Sequence, residues 1–258
     1  MAASGRREVV TLLAITFIAA SIEAAQAGGC WFEPQGEGRV AAIIDARTFR
    51  LGDGREVRLA GIEVTSTSAA DTAVLARLIA GQDVTLHGDD DGPDRYGRQP
   101  AFVFLKDGRG SVQVQLLTQG AALSAGSVAE TGCAVELSDA EARARRDRIG
   151  VWAKPMVIKN AESPGDILSE IGRFAVVEGR VRSVRQTGAT SYINFGRNWT
   201  QDFAVTISRR VVGALEAAGV ALPSLERRRI RVRGWVDRHG GPRIEVLRVG
   251  QLEVVGGN

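Results

Sequence analysis

Residues 39–66 read RVAAIIDARTFRLGDGREVRLAGIEVTS, and residues 94–98 read DRYGR. Val40, Ala42 and Ile44 alternate with their neighbours, as a half-buried strand requires. Phe49 and Leu51 continue the pattern, and Gly52-Asp53-Gly54 supplies a tight turn. Val57 and Leu59 then put Arg58 on the opposite face of a third strand. Working outward, Ser68 with Asp71 three residues on predicts the start of a helix. Its apolar stripe is Leu75, Leu78 and Ile79, and Gly81 ends it. Strands around Val84–Leu86 and Phe102–Phe104 follow, then helices over 112–118 and 139–149. The second of these reads as opened by a capping box of Ser138 and Glu141. Three strands, a helix and two strands is the order of an OB barrel.

Upstream, Arg6-Arg7, the apolar run Val9–Ala20 and Ala25-Gln26-Ala27 have the layout of an export signal at residues 1–27. The mature chain is then expected to start at Gly28. The run is too short to span a bilayer, so no transmembrane segment is expected. A twin-arginine signal at Arg6-Arg7 and a lipobox at Ala27–Cys30 are the competing readings. The chain has two cysteines, Cys30 and Cys133, and both fall in the mature part. A disulfide between them is the expectation for an exported protein, periplasmic or secreted.

Residues 153–168, with Pro155 and Ser163-Pro164-Gly165, read as a linker between domains at 28–152 and 169–258. Beyond it a long strand over 174–184, strands at 191–195 and 203–207, a helix at 209–219 and strands at 230–236 and 244–255 repeat the OB order. The expected fold class is therefore α+β: a helix-decorated OB barrel followed by a second OB-like β-barrel that folds on its own. Charge is uneven. Residues 28–160 carry 16 Lys and Arg against 18 Asp and Glu, whereas residues 165–258 carry 15 against 9. The second half is thus the better candidate for a polyanion partner.

The first-domain motifs carry a family resemblance. Arg58, the run Arg-Leu-Ala-Gly-Ile ending on Glu63, and Asp-Arg-Tyr-Gly-Arg closing on Arg98 resemble the staphylococcal-nuclease-like (thermonuclease) family over residues 38–152. That resemblance implies calcium-dependent hydrolysis of DNA and RNA phosphodiesters on an OB barrel. Arg58, Arg98 and Glu63 become the catalytic candidates, and Arg47, Arg58 and Arg98 the phosphate-binding ones. Guanidinium forks suit that role because they offer paired, coplanar donors.

The chain departs from the family pattern where the metal should sit. Arg47 stands at a metal-binding aspartate, Glu63 at the second, and Ser66 at the catalytic glutamate. Only Asp45 and Glu63 remain as candidate metal ligands. A serine hydroxyl does not titrate near neutral pH and is no general base by itself. Arg47 is expected to pair with Glu63 and fill the vacated position. The acidic run Asp89-Asp90-Asp91 lacks the spacing of a calcium loop and reads as solvated charge.

The second half resembles the OB-type tail of some secreted nuclease-like proteins, through Tyr192–Gly196 and Trp199…Asp202-Phe203. Tyr192, Trp199, Arg197, Arg231 and Arg233 are its candidate nucleic-acid contacts, by base stacking and phosphate pairing. Phe195, Phe203 and Trp235 are expected in the barrel core. The function expected is binding of nucleic acid or another phosphate-bearing polyanion, with weak or absent calcium-dependent cleavage. An active nuclease with a remodelled site and a non-catalytic envelope scaffold are the alternatives.

Overall fold

Residues 29–30, 32–65, 68–88, 92–106, 108 and 110–256 are described in the computed structural model. The stretch read as an export signal, the expected start at Gly28, Ser66 and the Asp89–Asp91 run lie outside them. In the first domain the elements run β1 (Pro34–Asp45), β2 (Thr48–Leu51), β3 (Glu56–Leu59), β4 (Ile62–Glu63), α1 (Ala69–Ile79), β5 (Asp83–His87), β6 (Gln99–Leu105), α2 (Val112–Thr118), β7 (Leu123–Ser124) and α3 (Thr131–Arg146). Strands β1-β2-β3-β6-β5 close into a barrel. β3 runs parallel to β6, and the other barrel pairs are antiparallel. Phe49, Leu51, Val57, Leu59, Leu86 and Val103 fill the interior.

Three expectations about this domain change. The alternation in β1 fails after Val40: register shifts flank Ala42 and Ile43, leaving Ala42 and Ile44 exposed while Ile43 packs on the core. A bulge turns the strand over, so parity read from sequence is lost there. The last helix begins at Thr131 and not at 139; its N-cap is Glu130, which accepts from the Gly132 and Cys133 amides. Ser138 and Glu141 are therefore interior to α3 and form no capping box. Cys133 sits in the first turn of that helix, not in a loop before it, and is bonded to Cys30 with Cα atoms 4.2 Å apart. The same sulfur cannot also carry a lipid, so the disulfide removes the lipobox reading.

After a 3₁₀ turn at Gly150–Ala153, the second domain runs β8 (Ile158–Asn160), α4 (Pro164–Leu168), β9 (Phe174–Arg180), β10 (Ser183–Thr187), β11 (Thr190–Asn194), β12 (Ala204–Ser208), α5 (Arg209–Ala217), β13 (Arg229–His239), β14 (Gly241–Val246) and β15 (Leu252–Val255). These form one eight-stranded sheet ordered β10-β11-β12-β14-β13-β9-β8, with β15 on β13. Its barrel path matches the first domain's: the third strand β12 lies parallel to β14. The opening strand is interrupted at Val181-Arg182, and its halves β9 and β10 pair at opposite ends of the path. The result is a barrel-like β domain. The expected strand 244–255 is two strands, separated by a 3₁₀ turn at Val249–Gln251.

The stretch read as a linker is folded. β8 pairs parallel with β9, and Ala161 and Ile167 are buried in the second core. The two domains also share a core: Leu123, Ala144, Val151 and Trp152 of the first pack with Phe174 and Val176 of the second. The two domains are therefore packed against each other and not held apart by a loose connector. Gly126 and Gly250 approach so closely that a Cβ on Gly250 would lie 2.9 Å from the Gly126 carbonyl oxygen. Trp235, expected in the barrel core, is 51% exposed. Among the described residues no helix is long and apolar enough to cross a membrane.

Candidate nucleic-acid interface

Arg58 owes its position to the β2–β3 hairpin. Gly54 donates to the Leu51 carbonyl, and Asp53 accepts from the Arg55 amide and Nε. With Val57 and Leu59 buried, Arg58 projects from the other face of β3. Arg47 sits at the β1–β2 turn, where Asp45 Oδ1 accepts its amide at 2.8 Å. Glu63 is brought alongside by β4, which pairs with β7.

The three side chains meet. The Arg47 guanidinium is ion-paired to Glu63 Oε2, and Arg58 Nη2 donates to Glu63 Oε1 at 3.4 Å. Burial pushes the Glu63 carboxyl above its ordinary value, against the pull of both arginines. Burial likewise lowers Arg47, with Glu63 opposing. The corner where the family resemblance expects a metal is thus occupied by the protein's own side chains.

Arg98 is held by the loop it ends. Asp94 accepts from the Tyr96 and Arg98 amides and from Arg98 Nε and Nη2, the last at 2.8 Å. Gly97 takes φ +77°, which closes the turn and which a side chain would resist. The Tyr96 ring lies under the Arg95 and Arg98 guanidinium carbons at 4.7 and 4.8 Å. Desolvation opposes ionisation of Asp94, but the Arg98 and backbone hydrogen bonds outweigh it and hold the carboxyl at about 2. Arg98 shares a cleft of about 580 Å³ with Asp45, Arg47 and Glu63. The opposite wall belongs to the second domain: Gly172, Arg173, Phe174 and Trp235.

Calcium takes six to eight oxygen ligands, several of them anionic. Both Glu63 oxygens face guanidinium groups, and among the described residues no cluster of three His, Cys, Asp or Glu could hold a metal. These residues do not fit the ion that the family resemblance implied.

The tail candidates divide. Arg231 and Arg233 are buried and already paired: Arg231 with Glu178 at 2.6 Å and Glu253 at 2.8 Å, Arg233 with Glu141 at 2.7 Å. The expectation that they contact nucleic acid is corrected, since both guanidinium groups are buried and taken by Glu178, Glu253 and, from α3, Glu141. Tyr192, Arg197 and Trp199 do come together, on a groove of about 1030 Å³. Arg180, Arg182, Arg185, Arg227 and Arg243 join them there, and Glu162 is its one acidic residue. Among the described residues none of these arginines makes an ion pair, and Trp199 is 75% exposed. Sequence reading missed these five; the basic excess of residues 165–258 pointed to the half but not to the face.

A closed five-stranded barrel with helices and a second barrel-like β domain define the class: an α+β protein of OB type. Residues 56–154 match the family described as Staphylococcal nuclease homologue, so the chain carries a staphylococcal-nuclease-like domain. No curated protein matches the chain. The matched stretch takes in Arg58, Glu63 and Arg98 and starts after Asp45 and Arg47. The domain supports nuclease-like binding of nucleic acid.

Proposed function

We propose that this is an exported protein that binds the phosphodiester backbone of nucleic acid without needing calcium, and that it hydrolyses that backbone weakly or not at all. The observation that carries the reading is the Arg47–Glu63 ion pair, which puts a fixed cation where a metal would otherwise be held. Arg58 contacts Glu63 through one nitrogen and Arg98 contacts Asp94 through two, and the charge-assisted bonds that guanidinium forks make to phosphate are the strong kind. The disulfide supports the exported compartment.

The groove of Tyr192, Arg197 and Trp199 supports a second contact with the same polymer. Among the described residues its arginines make no ion pair with a carboxylate, so phosphates can take that place, while Trp199 and Tyr192 offer ring faces to bases. The test is binding of a nucleoside bisphosphate to the mature protein with calcium and with chelator, beside cleavage of single-stranded DNA under both conditions. Equal affinity in the two buffers with little cleavage is expected. Strong calcium-dependent cleavage that disappears in Glu63→Ala would overturn the reading.

A further inference from the structure

The first-domain cleft is balanced in charge on its own. Among its first-domain lining residues, Arg47 and Arg98 are matched by Asp45 and Glu63. The cation in excess comes from the second domain. Arg173 lines the cleft with its side chain 70% exposed, and its only ion pair among the described residues is a 4.0 Å contact with Glu170. Glu170 is itself held by Lys159 at 2.7 Å, so Arg173 is left able to turn to another anion.

Beside it stands Trp235. It pairs across the sheet with Phe174, whose ring meets the indole edge-on at 6.3 Å between centroids. Phe174 is anchored in the core shared by the two domains, so the indole is fixed relative to the arginines opposite. Half of Trp235 is exposed. A flat apolar face of that size, held open at the mouth of an arginine-lined cleft, has the chemistry of a nucleobase platform.

We propose that Trp235 and Arg173 complete the first-domain cleft as a nucleotide subsite, in which an unpaired base stacks on Trp235 while Arg173 takes the adjoining phosphate. This rests on the cleft being a phosphate site. The cleft then selects single strands and frayed ends, because bases inside a duplex stack on each other and present no free face. The second domain becomes a contributor to the substrate site and not an appendage to it.

The test uses the full mature chain carrying Trp199→Ala, which removes the competing ring in the other groove. Two probes are titrated by calorimetry: a phosphorylated thymidine dinucleotide and inorganic pyrophosphate. Trp235→Leu is expected to weaken the dinucleotide roughly tenfold, the scale of one base stack, and to leave pyrophosphate within about twofold. Trp235→Phe keeps a ring and should retain most of the dinucleotide affinity, which separates stacking from packing. Arg173→Gln should weaken both probes. If Trp235→Leu and Trp235→Phe both bind the dinucleotide like the parent, the inference is wrong even where Arg98→Ala loses both probes. If Arg98→Ala keeps both, the phosphate reading itself has failed.

Discussion

At the residue scale, the site is decided by which groups are already engaged. Arg98 is fixed by Asp94, and an arginine held in place loses less freedom when it meets a phosphate. The Asp94 carboxyl should titrate at about 2 when followed by carbon NMR. Its folded value lies below the unfolded one, so its stabilisation is present above about pH 4 and is lost as pH falls through about 2. A midpoint near the ordinary aspartate value would show that Arg98 is not held there. Alanine at Arg58 or Arg98 should weaken bisphosphate binding by about 1.5–3 kcal/mol each, the scale of a bond to a charged group. Arg58 was legible from its hairpin and Arg98 from the turn it closes, whereas the Arg47–Glu63 pair came from the family resemblance, which puts both at metal positions. Trp235 was also legible in principle. It shares parity with Arg229, Arg231 and Arg233 along β13, so the period of two already puts it outside the barrel.

At the element scale, turns and caps speak locally while cover does not. Ser68 caps α1 and Ser111 caps α2, both from signals within a few residues. Sequence could not show that Glu141 of α3 and Glu253 of the neighbouring strand β15 meet the arginines of β13; hence Arg231 and Arg233 looked available when they are buried. The groove formed by β10, β11 and the loop after it is the surface where basic charge stays unpaired. Replacing Arg182 and Arg185 together by alanine should reduce the slope of log affinity against log salt for a single strand by roughly 1.4, about 0.7 per lost phosphate contact. An unchanged slope in filter binding would return these arginines to a solubility role. α3 contributes differently, since its first turn is tied to Cys30 across 103 residues. Breaking that bond should cost about 2–5 kcal/mol, because a loop of this length regains much chain entropy when unfolded. Urea melts of the oxidised protein against Cys30→Ala-Cys133→Ala measure it, and a loss under about 1 kcal/mol would argue that the unfolded chain stays compact.

At the scale of the whole molecule, a buried ion pair joins the two barrels beside their shared apolar core. Arg233 Nη1 reaches Glu141 at 2.7 Å and the Ser124 carbonyl at 2.9 Å, while Glu141 also accepts the Ser124 amide at 2.8 Å. Both side chains are nearly inaccessible, at 6% and 1%. A buried pair adds little net stability over a well-packed apolar one, but removing one partner strands a charge. Arg233→Ala and Glu141→Ala should therefore each lose about 3–5 kcal/mol, and Arg233→Met with Glu141→Leu should recover most of that loss. The pair also bears on ligand binding, because Arg233 and Trp235 are neighbours on the outward face of β13. A variant whose domains shift should lose affinity for a phosphorylated dinucleotide before it loses affinity for pyrophosphate, which needs the first domain's arginines and only Arg173 of the second. Equilibrium urea melts, with both probes titrated on each variant, check the two consequences together. Single variants that melt like the parent and bind both probes equally would mean that the apolar core at Phe174 and Trp152 fixes the domains without help from the ion pair.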